Sequence, residues 1–181
     1  TGTEKKLLSG FQMLSIKPVI VIYNIPDNWL GKSESELPHI SKLQAYPNMA
    51  VTSICGEVEL EIAQLDESER IEFMKGMDIE EPGLNKFIQA SYGLLGLISF
   101  FTVGKDEVKA WTVKKNTEAL NAAGEIHSDI ERGFIRAEII SYEDFKNCGS
   151  MSEGKKKGLV RLEGKKYVIQ DGDIINFRFN V

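Results

Sequence analysis

Lys17-Pro18-Val19-Ile20-Val21-Ile22-Tyr23-Asn24-Ile25-Pro26-Asp27 is the stretch that decides the fold. Pro18 disfavours helix at Lys17. The apolar, mostly β-branched run Val19–Tyr23 then suits a strand buried on both faces, as in a parallel sheet. Asn24 to Asp27 close it with a polar, proline-containing turn.

On the N-terminal side, Leu7, Leu8, Phe11 and Leu14 recur at helical spacing, so residues 4–15 are expected to end a helix. On the C-terminal side, residues 28–47 suggest a loop and a short helix that Pro38 interrupts. Met49–Ile54 has the makings of a second strand. Val58, Ile62 and Leu65 predict an amphipathic helix. Asp66 with Glu69 three residues on is a capping-box pattern for the next helix. Pro82-Gly83 precedes a third helix that carries Leu84, Phe87, Ile88 and Leu95.

From Ile98 the pattern turns to short strands. Ser99–Val103 and Val108–Val113 flank Gly104-Lys105-Asp106 as a hairpin. A small helix is expected around Gly124–Glu131. Phe134–Ile140 alternates apolar residues with Arg136 and Glu138, the pattern of a half-buried strand. Tyr142–Asn147 suggests a helical turn, and the Gly/Ser/Lys-rich residues 149–158 a mobile loop. Lys166–Ile169 and Ile174–Phe179 are expected as strands across the Asp171-Gly172-Asp173 turn. Two modules follow, residues 1–96 and 97–181, the second with strands around a small helix as in a β-grasp.

Charge divides at the same place. Residues 1–96 hold 8 Lys/Arg against 14 Asp/Glu, and residues 97–181 hold 14 against 13. Neither half has the strongly basic balance of a general nucleic-acid coat. Two cysteines, Cys55 and Cys148, make no disulfide pattern and suggest a reducing, cytoplasmic setting. No apolar run approaches the ~20 residues of a membrane span. The chain opens on Thr1 rather than Met and is read as a fragment or processed product.

Phosphate chemistry has a near miss. Gly31-Lys32-Ser33 ends like a phosphate-binding loop, but the opening glycine falls on Pro26, which has no N–H to offer. No catalytic residue and no metal-ligand set is assigned. His127 and Asp129 could face one way, yet no third ligand accompanies them, and a capping role is the simpler reading. A weaker rival is an enzyme built on His127, Asp129 and Cys55. Lys155, Lys156, Lys157, Arg161, Lys165 and Lys166 form one basic cluster, a candidate for salt-dependent RNA contact.

Blocks along the chain resemble the YchF/Obg-like P-loop ATPases and GTPases. Lys17–Asn24 is similar to their strand leading into base recognition, Val58–Leu65 to the helix after their last nucleotide loop, and Glu80–Leu84 to the segment before their final G-domain helix. Phe101–Gly104, Glu107–Thr112, Ala122–Asp129, Gly133–Glu138 and Gln170–Phe179 look like their TGS domain. The resemblance implies an α/β remnant of a P-loop G domain over residues 1–96, then an α+β, ubiquitin-like β-grasp TGS domain over 97–181, with Val181 as the natural C-terminus. It implies that the other half of the G domain, with its P-loop and coiled-coil insertion, stands ahead of this chain. It also implies a regulatory NTPase that uses ATP or GTP with Mg²⁺ when full-length, no cofactor in this chain, and a ribosome or RNA as partner. Asn24, Asp27, Cys55 and Gly56 then fall at the base-binding positions. Asp27 stands where the family usually has Glu, and Gly56 where Ala is common. Two further readings stay open: a stand-alone TGS binding module, and a dimer through the apolar sheet edge that a truncated G domain would leave beside Val19–Ile22.

Overall fold

The computed structural model describes residues 9–11, 13–104 and 107–180. The chain divides into two compact units, residues 1–95 and 96–181.

In the first unit, the β-branched run forms β1 (Val19–Asn24) and pairs in parallel with β2 (Met49–Ile54). Between them lie 3-10 turns at Asp27–Trp29 and Glu34–Glu36 and a short α1 (Ile40–Gln44). Then come α2 (Gly56–Gln64), α3 (Glu67–Gly76) and α4 (Gly83–Leu95), with α4 packed on β2. Val58 and Ile62 on one face of α2 meet Cys55, Phe73, Met74 and Ile79 in a small core. The capping box at α3 is formed, with Asp66 accepting from Glu69 N–H and Glu69 from Asp66 N–H. These hydrogen bonds to the carboxylate hold the Asp66 pKa below its usual value.

Two expectations fail here. Burial of β1 on both faces does not hold, because Val19 and Ile22 are 43% and 42% exposed. Among the described residues β1 pairs only with β2, so its other edge is open. The helix expected over residues 4–15 falls partly on residues outside the description. Ser9–Phe11 and Leu14–Ile16 are single 3-10 turns, and Phe11 and Leu14 are exposed with no face to pack on.

The second unit is a five-stranded sheet in the order β4-β3-β7-β5-β6. β3 (Leu97–Val103) and β4 (Val108–Lys114) form the expected hairpin. β7 (Asp173–Phe179) lies parallel to β3 and antiparallel to β5 (Phe134–Ser141), and the three-residue β6 (Arg161–Glu163) edges β5. One sheet face, with Phe100, Ile139, Ile175 and Phe177, packs against Ala119, Ala122 and Ala123 of α5 (Ala119–Ile126). Alanines let the helix backbone approach the sheet. Phe177 meets both Phe100 and Phe134 edge-on.

Four expectations are corrected. The helix around Gly124–Glu131 is two helices, α5 and α6 (Ser128–Arg132), broken by extended backbone at His127. Lys166–Ile169 is not a strand: Val168 makes a single bridge to Glu118, and the strand beside β5 is β6. The stretch 149–158 is not a free loop. Ser150 caps α8 (Met151–Lys156), which follows α7 (Tyr142–Cys148), and Gly154 is buried. A Cβ at Gly154 would lie 2.7 Å from Ile140 Cδ1, so glycine is what lets the helix seat on β5. Finally, β5 is not half-buried by simple alternation, since Glu138 on its second face is 2% exposed.

Candidate functional site

β1 and β2 run in register from Val19↔Met49 to Asn24↔Ile54, so both end at one level. The pairing continues one step, with Ile25 N–H donating to Ile54 O at 2.9 Å. Beyond it, Asn24 Oδ1 accepts the N–H of Gly56 at 3.1 Å. Gly56 is the first residue of α2, and a Cβ there would sit 3.3 Å from Asn24 Oδ1. The loops after both strands are thereby tied at the C-terminal edge of a parallel pair, where ligands bind in open α/β sheets.

Asp27 is placed differently. It opens the 3-10 turn after Pro26, is exposed, and accepts the N–H of Asn28 at 2.6 Å. Cys55, 3% exposed, packs in the small core. The structure therefore joins Asn24 with Gly56 directly, leaves Asp27 on the adjoining loop, and turns the Cys55 side chain inward.

A cavity of about 380 Å³ lies beside these loops, lined by Trp29, Lys32, Ser53, Cys55 and Lys86 among others. Two glutamates that sequence patterns did not single out brace it. Glu34 accepts the N–H of Ser53 at 3.2 Å. Glu59 accepts those of Gly83 (2.6 Å) and Leu84 (3.3 Å), closing the N-terminus of α4. All three hydrogen bonds join residues far apart in sequence, so no local signal betrays them.

Gly31-Lys32-Ser33 does not fit a triphosphate. The Lys32 N–H donates to Trp29 O, the Lys32 ammonium lies 4.7 Å from the Trp29 ring centre, and Ser33 caps the next turn. The Lys32 N–H and ammonium both turn back onto Trp29, where a phosphate cradle would turn them outward. Among the described residues, no three His, Cys, Asp or Glu side chains converge as a metal centre requires. None of their helices is long and apolar enough to cross a membrane.

The basic cluster is partly spent. Lys155 Nζ meets Glu138 at 2.9 Å and Lys156 meets Glu153 at 2.7 Å. Arg161 lies over the Tyr167 ring, near Asp173. Lys157, Lys165 and Lys166 are exposed. Burial opposes ionisation of Glu138, but hydrogen bonds from Lys155, Asn176 and Arg178 outweigh it and hold the carboxyl below its usual range. Burial, with the Asp173 carboxylate beside it, pushes the Tyr167 phenol up. His127 is a cap: its Nδ1 accepts the N–H of Asp129 at 3.1 Å. The Asp129 carboxylate pairs with Arg132, which lowers its pKa.

The comparisons with known proteins agree over the whole length. The chain is 44% identical over 184 residues to a Bacillus subtilis protein named ribosome-binding ATPase YchF, spanning all of this chain and 50% of that protein. The chain belongs to the YchF family. A Haemophilus influenzae YchF of the same name is 43% identical, over 98% of this chain and 49% of its own length. The family model YchF-GTPase_C, described as a protein of unknown function (DUF933), matches residues 97–180, which assigns the chain to the C-terminal half of YchF proteins. The solved structure of the Schizosaccharomyces pombe YchF GTPase superposes with a TM-score of 0.81 at 29% identity, covering 98% of this chain and 48% of that one. A GTP binding protein from Pyrococcus horikoshii OT3 shares the fold, with a TM-score of 0.61 at 17% identity over 91% of this chain and 46% of its own. The chain thus spans about half the length of the curated relatives it matches.

Proposed function

We propose that this chain is the base-recognition and partner-binding part of a regulatory, nucleotide-binding NTPase. In this reading residues 1–96 complete a P-loop G domain, and residues 97–181 form a TGS domain of the β-grasp type. Asn24, Asp27, Cys55 and Gly56 serve the base, Cys55 through its main chain and Gly56 by holding Asn24 in place. The observation that carries this is the Asn24–Gly56 hydrogen bond, which holds two nucleotide-facing loops together at a strand-end edge. The triphosphate, Mg²⁺ and the hydrolytic step belong to the preceding half of such a protein, since Pro26 stands where a phosphate loop needs its opening glycine and the Lys32 N–H is turned back onto Trp29 O.

The second unit acts as the ribosome or RNA contact, in a cytoplasmic protein, through the basic groups at Lys155, Lys156, Lys157, Arg161, Lys165 and Lys166. The bacterial relatives are named ribosome-binding ATPases, which supports a ribosomal partner. Calorimetric titration of ATP and GTP into this chain, and into the same chain joined to a preceding P-loop half, tests the division of labour. Tight binding only by the joined protein is expected, and Asn24→Ala should weaken it. The stand-alone binding-module reading draws on one observation, the compactness of the second unit. It gains if residues 96–181 alone sediment with ribosomes as well as the whole chain does. The open edge of β1 is the place for a dimer of the isolated chain, which sedimentation equilibrium would reveal.

A further inference from the structure

The pairing of β5 with β7 carries one irregularity. Phe134 stands opposite Phe179, and then the register shifts so that Arg136, not Ile135, stands opposite Arg178. Had the pairing run on from Phe134↔Phe179 without that shift, Ile135 would stand opposite Arg178 and Arg136 opposite Phe177, on the core face. The bulge at Ile135 therefore sets two arginines directly across from each other on the second sheet face. Like charges in that relation destabilise a sheet. Bulges that re-aim a side chain concentrate beside functional sites.

The surroundings do not cancel the charge. Glu138, two residues along β5 on the same face, is buried and already receives Lys155 Nζ and Asn176 Nδ2, each at 2.9 Å, and Arg178. Arg178 remains 57% exposed and Lys155 44%. Among the described residues no carboxylate pairs with Arg136, which is exposed. Two cations, Lys155 and Arg178, thus share the Glu138 carboxylate, and Arg136 adds a third positive charge beside them. Glu138 orients Arg178 through one of its terminal nitrogens, and both guanidinium groups remain exposed. Planar guanidinium forks match the oxygens of a phosphate. On an open, exposed face a polymeric anion gains from counterion release, which a single small anion does not.

We propose that Arg136 and Arg178, set opposite each other by the bulge at Ile135, grip an RNA backbone phosphate, with Lys155 as a third cation beside them. This rests on the reading of the second unit as an RNA contact, but it moves the centre of that contact from the lysine run to the β5–β7 face.

The test is fluorescence anisotropy of a short, mixed-sequence, fluorescein-labelled single-stranded RNA titrated with the full chain, from low to physiological salt. Arg136→Gln is expected to weaken binding by roughly tenfold and to reduce the steepness of the log-affinity against log-salt line by about 1. Arg136→Lys should keep the salt slope and lose part of the affinity. Lys114→Gln, exposed on the far edge strand β4, should change affinity by less than about twofold. The melting temperature of Arg136→Gln without RNA should equal or exceed that of the parent, because a like-charge opposition is gone. If the parent binds RNA and Arg136→Gln binds it equally well, the proposed grip is wrong while the RNA reading stands. If the parent binds no RNA, both fall.

Discussion

Asn24 and Gly56, 32 residues apart in the chain, are joined by a side-chain to main-chain hydrogen bond that ties the ends of two parallel strands. Asn24→Ala removes that acceptor at an exposed site, so stability measured by urea denaturation should fall by only about 0.5–1.5 kcal/mol. In a protein carrying the preceding half, nucleotide affinity should fall by roughly tenfold or more. Unchanged affinity would mean that Asn24 merely shapes a turn.

Glu138 gives the second unit an acid-sensitive joint. Its folded-state pKa lies below its ordinary value, despite burial, because Lys155, Asn176 and Arg178 donate to it. The stabilisation is then fully present above the unfolded pKa, about 4.3, and is lost as pH falls through the lower folded value. The melting temperature should drop on acidification below about pH 4. Glu138→Gln should melt lower at neutral pH and show a smaller acid drop. Parallel pH profiles for the two proteins would contradict this.

Gly154 seats α8 on β5. A Cβ there meets Ile140 Cδ1 at 2.7 Å, Val160 Cγ2 at 3.2 Å and Cys148 Sγ at 3.4 Å, and Ile140 is fully buried. Helix propensity alone favours alanine by about 1 kcal/mol, but crowding in a packed site costs about 1–3 kcal/mol. Gly154→Ala should therefore destabilise the second unit in urea denaturation. A gain in stability would show that the helix is not pressed against the strand.

Glu59 closes α4 by accepting two of its first N–H groups. Glu59→Ala should cost about 1–2 kcal/mol, in the range of a lost N-cap, while Glu59→Gln, which keeps an acceptor, should lose less. Equal losses would point to charge rather than the hydrogen bonds.

Local signals explain what was legible. The capping box at Asp66 and Glu69, the hairpin at Ser99–Val113 and the strand Val19–Tyr23 each carry their cause within a few residues. The misreadings share the opposite trait. Residues 149–158 look like a loop because Gly154 is a poor helix former, and the helix exists through its contact with Ile140, distant in sequence. Glu138 looks solvent-facing because its three partners come from α8 and β7. Asn24 was legible as a strand-end residue, but its partner Gly56 was set only by register. The arginine pair at Arg136 and Arg178 was hidden for the same reason, since a one-residue bulge leaves no mark on the alternation of β5.

Under the proposed division of labour the base contacts lie in this chain and the phosphate cradle lies outside it, and calorimetric titration with ATP and GTP plus Mg²⁺ decides between this and a self-sufficient site. The chain alone should bind either nucleotide weakly or not at all and should hydrolyse neither. Sub-micromolar affinity, or turnover of either nucleotide by the purified chain, would contradict it.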